Sequence, residues 1–585
     1  MRIATGLLTA AFCVLLASCG GGGDQTNSPP PPSESTGVLQ AGKIQGVTWR
    51  TATRSGVTDA AGTFRYLPGE TVTFSIGGIT LGSTAGAAQV SLFTLAGATP
   101  PANELALRRE TSHLQTSPVP NPFVRAVNLS LLVLALDVDD DPSNGVDVTA
   151  GNTALAGATL EIGITAGGFA NRLYRLAPGL NQNIPRTRSI GFLFSSLGLR
   201  VSTGAVVRQG FSSPGASYTM DIVSTYDAAG ELATATTVAP SLSTGPAVIT
   251  LTHDSMGRIL RQRIDYDVDD DGVTDITHLT ENIYDAHGNQ TSNIESDSFG
   301  ATLSSTSSLT STFDTFGRRL TYNFTFGGPG GQVSAERGVF HWDARGNLLD
   351  QRIDVDFDND GAPEVIYAST HTFDGANRLL TNRSTRDDGG DGVVDDIEMG
   401  SYTYGASGSP EMLVATSDSN GDGNIDERTT SHFTSGEHGL LSLQVDDHEA
   451  PAGTLDERIE TRYTYDADAR TLSTVSSADT GANGSVDSVR TNTWEYDANG
   501  FLTTRASTTD AQNDGVVDSR SREVRTYDAN GANLTLLTED DVDADGIPEQ
   551  SAASSWVYAP LDNGVVTLVG QYFQAGGVMD VATSP

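Results

Sequence analysis

Trp494-Glu495-Tyr496-Asp497-Ala498-Asn499-Gly500-Phe501-Leu502 is the stretch whose reading decides the fold. Upstream of its turn, from Val489 to Tyr496, Trp494 and Tyr496 share one face of an extended chain while Thr491, Thr493 and Glu495 share the other, the alternation of a half-buried strand. Asp497 to Gly500 then reads as a tight turn, with glycine supplying the positive φ that reverses the chain. A second extended run rich in Thr, Ser and Leu follows. The same aromatic-Asp-x-x-Gly pattern occurs at Tyr226, Tyr284, Phe313, Trp342 and Tyr527, with weaker copies at His253, Phe373, Tyr404, Phe433, Tyr465 and Tyr558. From Tyr465 onward the interval is 31 residues, and the earlier intervals lie between 27 and 32. Such spacing marks a repeat architecture whose unit is a β-hairpin.

A second motif runs in step with the first. Full copies of D-x-[DN]-x-D-G-x-x-[DE] are Asp267, Asp269, Asp271 and Asp275; Asp356, Asp358, Asp360 and Glu364; Asp418, Asn420, Asp422 and Asp426; and Asp541, Asp543, Asp545 and Glu549. Partial copies begin at Asp387, Asp479 and Asp510. Calcium takes about six to eight oxygens, and a chain wrapping one ion presents alternate side chains from positions 1, 3 and 5. Glycine at position 6 permits the sharp bend, and the acid at position 9 closes the shell. Magnesium keeps its waters and takes fewer carboxylates, while zinc would call for Cys or His; calcium is the natural ion. The same residues also make Asp-Gly turns held by their own Asx hydrogen bonds with no ion. Phase connects the two motifs, because Asp267, Asp356, Asp387, Asp479, Asp510 and Asp541 each stand 17 residues before the next repeat aromatic. The two turn types are therefore opposite ends of one antiparallel meander.

At the amino terminus, Arg2 precedes an apolar run from Ile3 to Leu16 and then Leu16-Ala17-Ser18-Cys19, a signal peptide (1–18) ending in a lipobox. Cys19 is expected to carry lipid and so to make the membrane a partner. A Gly- and Pro-rich tether follows (19–36), then an amino-terminal β module (37–105) and a mixed connecting region with an apolar helix-like segment and an Asp-rich loop (106–205). The repeat array occupies 206–560, with a carboxy-terminal cap strand and tail at 561–585. Cys13 is the only other cysteine, so the mature chain has no disulfide to brace a thin core. A net charge of -39 argues against a nucleic-acid partner. Carboxylates clustered this regularly repel one another unless a cation joins them, and strands dominated by Thr and Ser leave stability for bound ions to supply.

Trp342-Asp343-Ala344-Arg345-Gly346-Asn347-Leu348 and Phe313-Asp314-Thr315-Phe316-Gly317-Arg318-Arg319-Leu320 resemble the YD repeats of RHS-type proteins. That resemblance implies a long β-sheet spiralling into a shell or cage. This chain departs from the large RHS toxins in its acidic loops, its fewer repeats and the absence of a recognisable toxin domain after the last unit. A separate segment, Gly46 to Gly82, resembles an amino-terminal β module of bacterial surface lipoproteins. There too an apolar segment (Asn128 to Leu136) precedes an Asp-rich loop, Asp137 to Gly145, in which Asp137, Asp139 and Asp141 form a further candidate ion site.

Nine histidines are present, among them His432, His438 and His448, but none sits in a metal-ligand or nucleophile motif. There is no G-x-S-x-G elbow, Walker loop or H-E-x-x-H helix. The acids recur along the array, whereas an active site is a single constellation; ligation accounts for them better than glycosidase chemistry. The sequence thus predicts an all-β protein, an antiparallel hairpin array forming a spiral or curved sheet, or alternatively a six-bladed β-propeller made from twelve two-strand units. The expected role is that of a calcium-stabilised lipoprotein of the outer membrane, displayed at the cell surface or facing the periplasm, structural, adhesive or binding, with a protein or glycan partner and no enzymatic activity. A β-propeller ligand-binding module and an RHS-like component of a secreted toxin or glycan-interaction system are the alternatives.

Overall fold

The computed structural model describes residues 33–116, 121–164, 166–176, 180–181, 184–197, 200–202, 206–213, 216–226, 232–238, 245–328, 333–406, 408–436, 439–558 and 565–567. The signal peptide, Cys19, most of the tether, His438 and all but three residues of the carboxy-terminal tail lie outside them.

The repeats build one sheet of 24 antiparallel strands, from Val206–Ser213 to Gln550–Tyr558. Each strand pairs with the next in sequence, and the first pairs antiparallel with the last, with Phe211 opposite Ser554 and Ser212 opposite Ala553. The sheet is therefore a closed barrel. This corrects both sequence expectations. A propeller needs units whose outer strands stop pairing at a blade edge, but here every strand is hydrogen-bonded on both sides. A spiral leaves two free edges, and these have instead joined, which removes the unpaired N–H and C=O groups that an open sheet exposes.

The repeat is legible atom by atom. In the turn after Tyr465, Asp466 Oδ1 accepts the N–H groups of Asp468 and Arg470 at 2.9 Å, and its Oδ2 accepts Arg470 Nε at 2.7 Å. Asp254, Asp314 and Asp374 hold Arg258, Arg318 and Arg378 in the same way, and Asp285 and Asp343 hold Asn289 and Asn347. The arginine then covers the next repeat's aromatic: Arg470 stands 4.8 Å from the ring of Tyr496 and Arg378 4.6 Å from that of Tyr404. The aromatic reaches backward, since Tyr496, Tyr527 and Tyr558 donate their hydroxyls to the carbonyls of Thr471, Leu502 and Asn533 in the preceding repeat. Trp342 does the same through Nε1 to Arg319 O. One repeat departs from the sequence alignment. The hairpin bulge falls at Ser435, not Phe433, and the turn runs through Gly436, so the aromatic at 433 faces the sheet two residues early. Asp418 lies 17 residues before Ser435, and that offset locates the turn where the missing aromatic cannot.

Inside the wall little is dry. Its buried apolar cluster is Ala235, Ile249 and Ile264 with three partly buried neighbours. Charges occupy mid-strand positions on both faces: Arg352, Arg462 and Arg522 on one, Glu336, Glu398 and Glu523 on the other. Neither face is the apolar band that a lipid-facing barrel presents.

The large core lies in the amino-terminal part, where three small sheets and the helices Glu104–Thr116, Pro122–Ala135, Ala166–Leu176 and Arg186–Ser195 enclose Phe64, Phe74, Phe93, Phe123 and Phe194. Asn121 caps the second helix by accepting from the N–H groups of Phe123 and Val124, with Pro122 at its first turn. That helix is apolar almost all round and is buried accordingly. The domain sits across the barrel mouth formed by the Asp-x-x-Gly turns. Arg258 Nη1 donates to Asn181 Oδ1 at 2.9 Å, Arg175 packs on Gly346, Leu105 faces Gly531, and Arg108 stands over Tyr558. Met256 from the barrel joins the domain's core. These turns lie on the part of the ring that runs from Gly531 across the closing pair to Gly346, so the domain sits on that mouth and leaves the acidic loops on the opposite rim.

Candidate metal centres on the open rim

Each acidic loop begins at or within one residue of the end of one strand and ends just before the next strand begins. Asp356 is completely buried, and Asp267, Asp418 and Asp541 are nearly so. The carboxylate at position 1 accepts the N–H of the position-6 glycine: Gly272 to Asp267 at 2.9 Å, Gly361 to Asp356 at 2.9 Å, Gly423 to Asp418 at 2.8 Å and Gly546 to Asp541 at 3.0 Å. The position-9 acid accepts the N–H of position 2, as in Phe357 to Glu364 at 2.7 Å and Val542 to Glu549 at 2.7 Å. Both bonds recur in the loops at Asp387, Asp479 and Asp510. Position 4 takes a positive φ in all seven: Asp270, Asn359, Gly390, Gly421, Ala482, Asn513 and Ala544. Neighbouring loops touch along the rim, with Gly389 N donating to Glu364 O at 2.6 Å.

Ligand oxygens converge at three of the four full copies. Asp356, Asp358, Asp360 and Glu364 bring carboxylate oxygens within 4.8 Å of one another, as do Asp541, Asp543, Asp545 and Glu549, and Asp267, Asp269 and Asp275. Asp271 is not part of the third group. The fourth copy, Asp418, Asn420, Asp422 and Asp426, is not among these groups. It has the amide Asn420 in place of an acid, and Ser419 gives both its N–H and its hydroxyl to Asp426, holding that carboxyl below its usual range.

Two observations favour a cation over self-satisfied turns. Asp541 Oδ1 and Asp387 Oδ1 are buried without any hydrogen-bond partner, an arrangement costly to a carboxylate unless an ion supplies the missing contact. The like charge of Asp271, with burial, Asp275 and Asp267 adding to it, also pushes Asp269 up from the ordinary carboxylate range. An all-oxygen donor set of three or four acids fits a hard divalent ion. The chain thus has the geometry to hold metal in acid-lined loops on one rim of a closed all-β barrel.

No protein-family model and no curated protein matches the chain. Solved structures that match in part include TcdB2-TccC3-TEV at 13% identity and TM-score 0.16, covering 57% of this chain and 22% of that one. A porin-like protein from Bacteroides vulgatus ATCC 8482 matches at 9% identity and TM-score 0.19 over 39% of this chain and 94% of its own. Another, from Bacteroides uniformis ATCC 8492, matches at 8% and 0.15 over 61% of this chain and 100% of its own. This chain thus spans about a fifth of the length of the first. None of these similarities assigns a family.

Proposed function

We propose that the chain is a non-catalytic, calcium-stabilised barrel displayed at the outer-membrane surface from a lipid on Cys19, with a structural, adhesive or ligand-binding role toward a protein or glycan. One observation carries this reading: Asp356, Asp358, Asp360 and Glu364 meet in a preorganised loop on a wall that has almost no apolar core. Charged side chains stand at mid-strand on both faces of the wall, so a lipid at Cys19, and not the barrel, would make the membrane contact.

Thermal unfolding of the mature chain with calcium and with a chelator tests the first part. Each site filled at about 100 times its Kd adds roughly 2.7 kcal/mol to the folded state, so chelation should lower the melting midpoint by several degrees. Coincident curves would remove calcium from the account. For the anchor, Cys19→Ala should abolish incorporation of labelled palmitate into cells expressing the chain, and retained label would refute it.

A further inference from the structure

Every acidic loop on the open rim leaves at least one large apolar side chain in water. Val273, Val393, Val516 and Ile547 do so at position 7, Ile425 and Val486 at position 8 and Phe357 at position 2, all between 37% and 70% exposed. The loop fold does not call for them. What position 7 contributes is its N–H, donated to the side chain at position 5 at 2.8 or 2.9 Å, and Ala362, Asn424 and Ser485 make that bond as well as Val273 does. Where position 7 is one of these three small or polar residues, the exposed apolar side chain stands elsewhere in the same loop, at Phe357, Ile425 or Val486. Loops on successive hairpins are two strands apart, about 10 Å, and they touch: Asn513 Nδ2 donates to Val486 O at 2.9 Å. Apolar tips repeated at that interval make a belt along the rim, the mark of a surface that meets a partner.

Charge defines that partner. The seven nine-residue loops hold between two and five acids each and no Lys, Arg or His. Two strand arginines that reach the loops, Arg337 and Arg386, are paired with Asp356 and Asp388. A divalent ion among the carboxylates of Asp356, Asp358, Asp360 and Glu364 leaves that loop negative still. A second copy of this chain would bring an equally acidic rim, and a bilayer of anionic lipid would bring more negative charge. We propose that the open rim docks a cationic polypeptide whose apolar side chains stand between its Lys and Arg residues, the belt covering the first and the acids pairing with the second. This narrows the binding role proposed above and rests on that part of it alone, since the belt is present whether or not the loops are filled.

Anisotropy of a fluorescent, helical Leu/Lys peptide titrated with the full mature chain in calcium buffer tests the proposal. Phe357→Ser, Val393→Ser and Ile547→Ser together leave the net charge and the backbone hydrogen bonds of the loops unchanged, and should raise the Kd about tenfold or more. Val223→Thr with Ile283→Thr, which removes equally exposed apolar side chains from the wall, should not change it. The unaltered chain should lose affinity as salt rises and should ignore a Leu/Glu peptide. An unchanged Kd in the rim variant overturns the proposal, because net charge alone then holds the peptide, and equal affinity for the Leu/Glu peptide overturns it too. Rim-dependent binding to phosphatidylglycerol vesicles, or rim-dependent dimers in sedimentation velocity, without rim-dependent peptide binding would assign the surface to lipid or to a second copy and equally overturns it. Melting with calcium and with chelator is read separately, so failure here leaves the metal reading standing, and the reverse.

Discussion

Ala544 shows how strongly the loop geometry is imposed on single residues. It holds φ +54° at position 4, as Ala482 does in its loop, where the other loops place Gly390, Gly421, Asn359, Asn513 or Asp270. An alanine Cβ is crowded there, at a cost of about 1 kcal/mol, and glycine is not. Ala544→Gly is expected to raise stability by roughly 1 kcal/mol in urea unfolding with calcium present, and a lower midpoint would show that the conformation is not strained. Residue chemistry of this kind was readable beforehand: the spacing of Asp541, Asp543, Asp545 and Glu549 announced four acids whose carboxylates meet. What the sequence could not show was that Asp271 falls outside its group or that Ser419 already occupies Asp426, since both depend on where a side chain points.

Among the elements, the hairpin turn is the unit that joins repeats. Asp466 is held below its ordinary carboxyl range: burial opposes this, but the N–H and guanidinium of Arg470 outweigh it. A folded-state pKa below the unfolded one stabilises at pH above the unfolded value of about 3.9, and the benefit disappears as pH falls through the folded value. Asp343 and Asp374 shift in the same direction. Asp466→Asn should therefore destabilise at pH 7 and make little difference at pH 2, measured by denaturant midpoints at both. An equal loss at both pH values would assign the effect to packing instead. Strand and turn positions were legible because a period of two and a glycine at fixed offset are local signals. Ser435 was not, because its repeat carries an aromatic two residues early and the hairpin obeys the phase of the whole array.

At the level of the whole molecule, closure is the decisive event, and it is testable without a ligand. Ser212 and Ala553 are 341 positions apart in sequence and cross-strand partners in the ring. In a Cys19→Ala background, Ser212→Cys with Ala553→Cys should form an internal disulfide under mild oxidation, seen as a mobility shift on a non-reducing gel. Neighbouring antiparallel strands bring paired Cβ atoms within reach of such a bond, and an open spiral would not. Persistent free thiols in a folded chain would refute the closed ring. By itself the sequence determined the repeat, its two kinds of reversal and the oxygen-rich chemistry of one of them, because turns and strand faces depend on residues a few positions apart. Only the tertiary structure decided that the array meets itself, that the amino-terminal domain sits on one mouth, and which acids converge. Those outcomes depend on curvature accumulated over 24 strands and on contacts hundreds of residues apart, quantities that no short window of sequence contains.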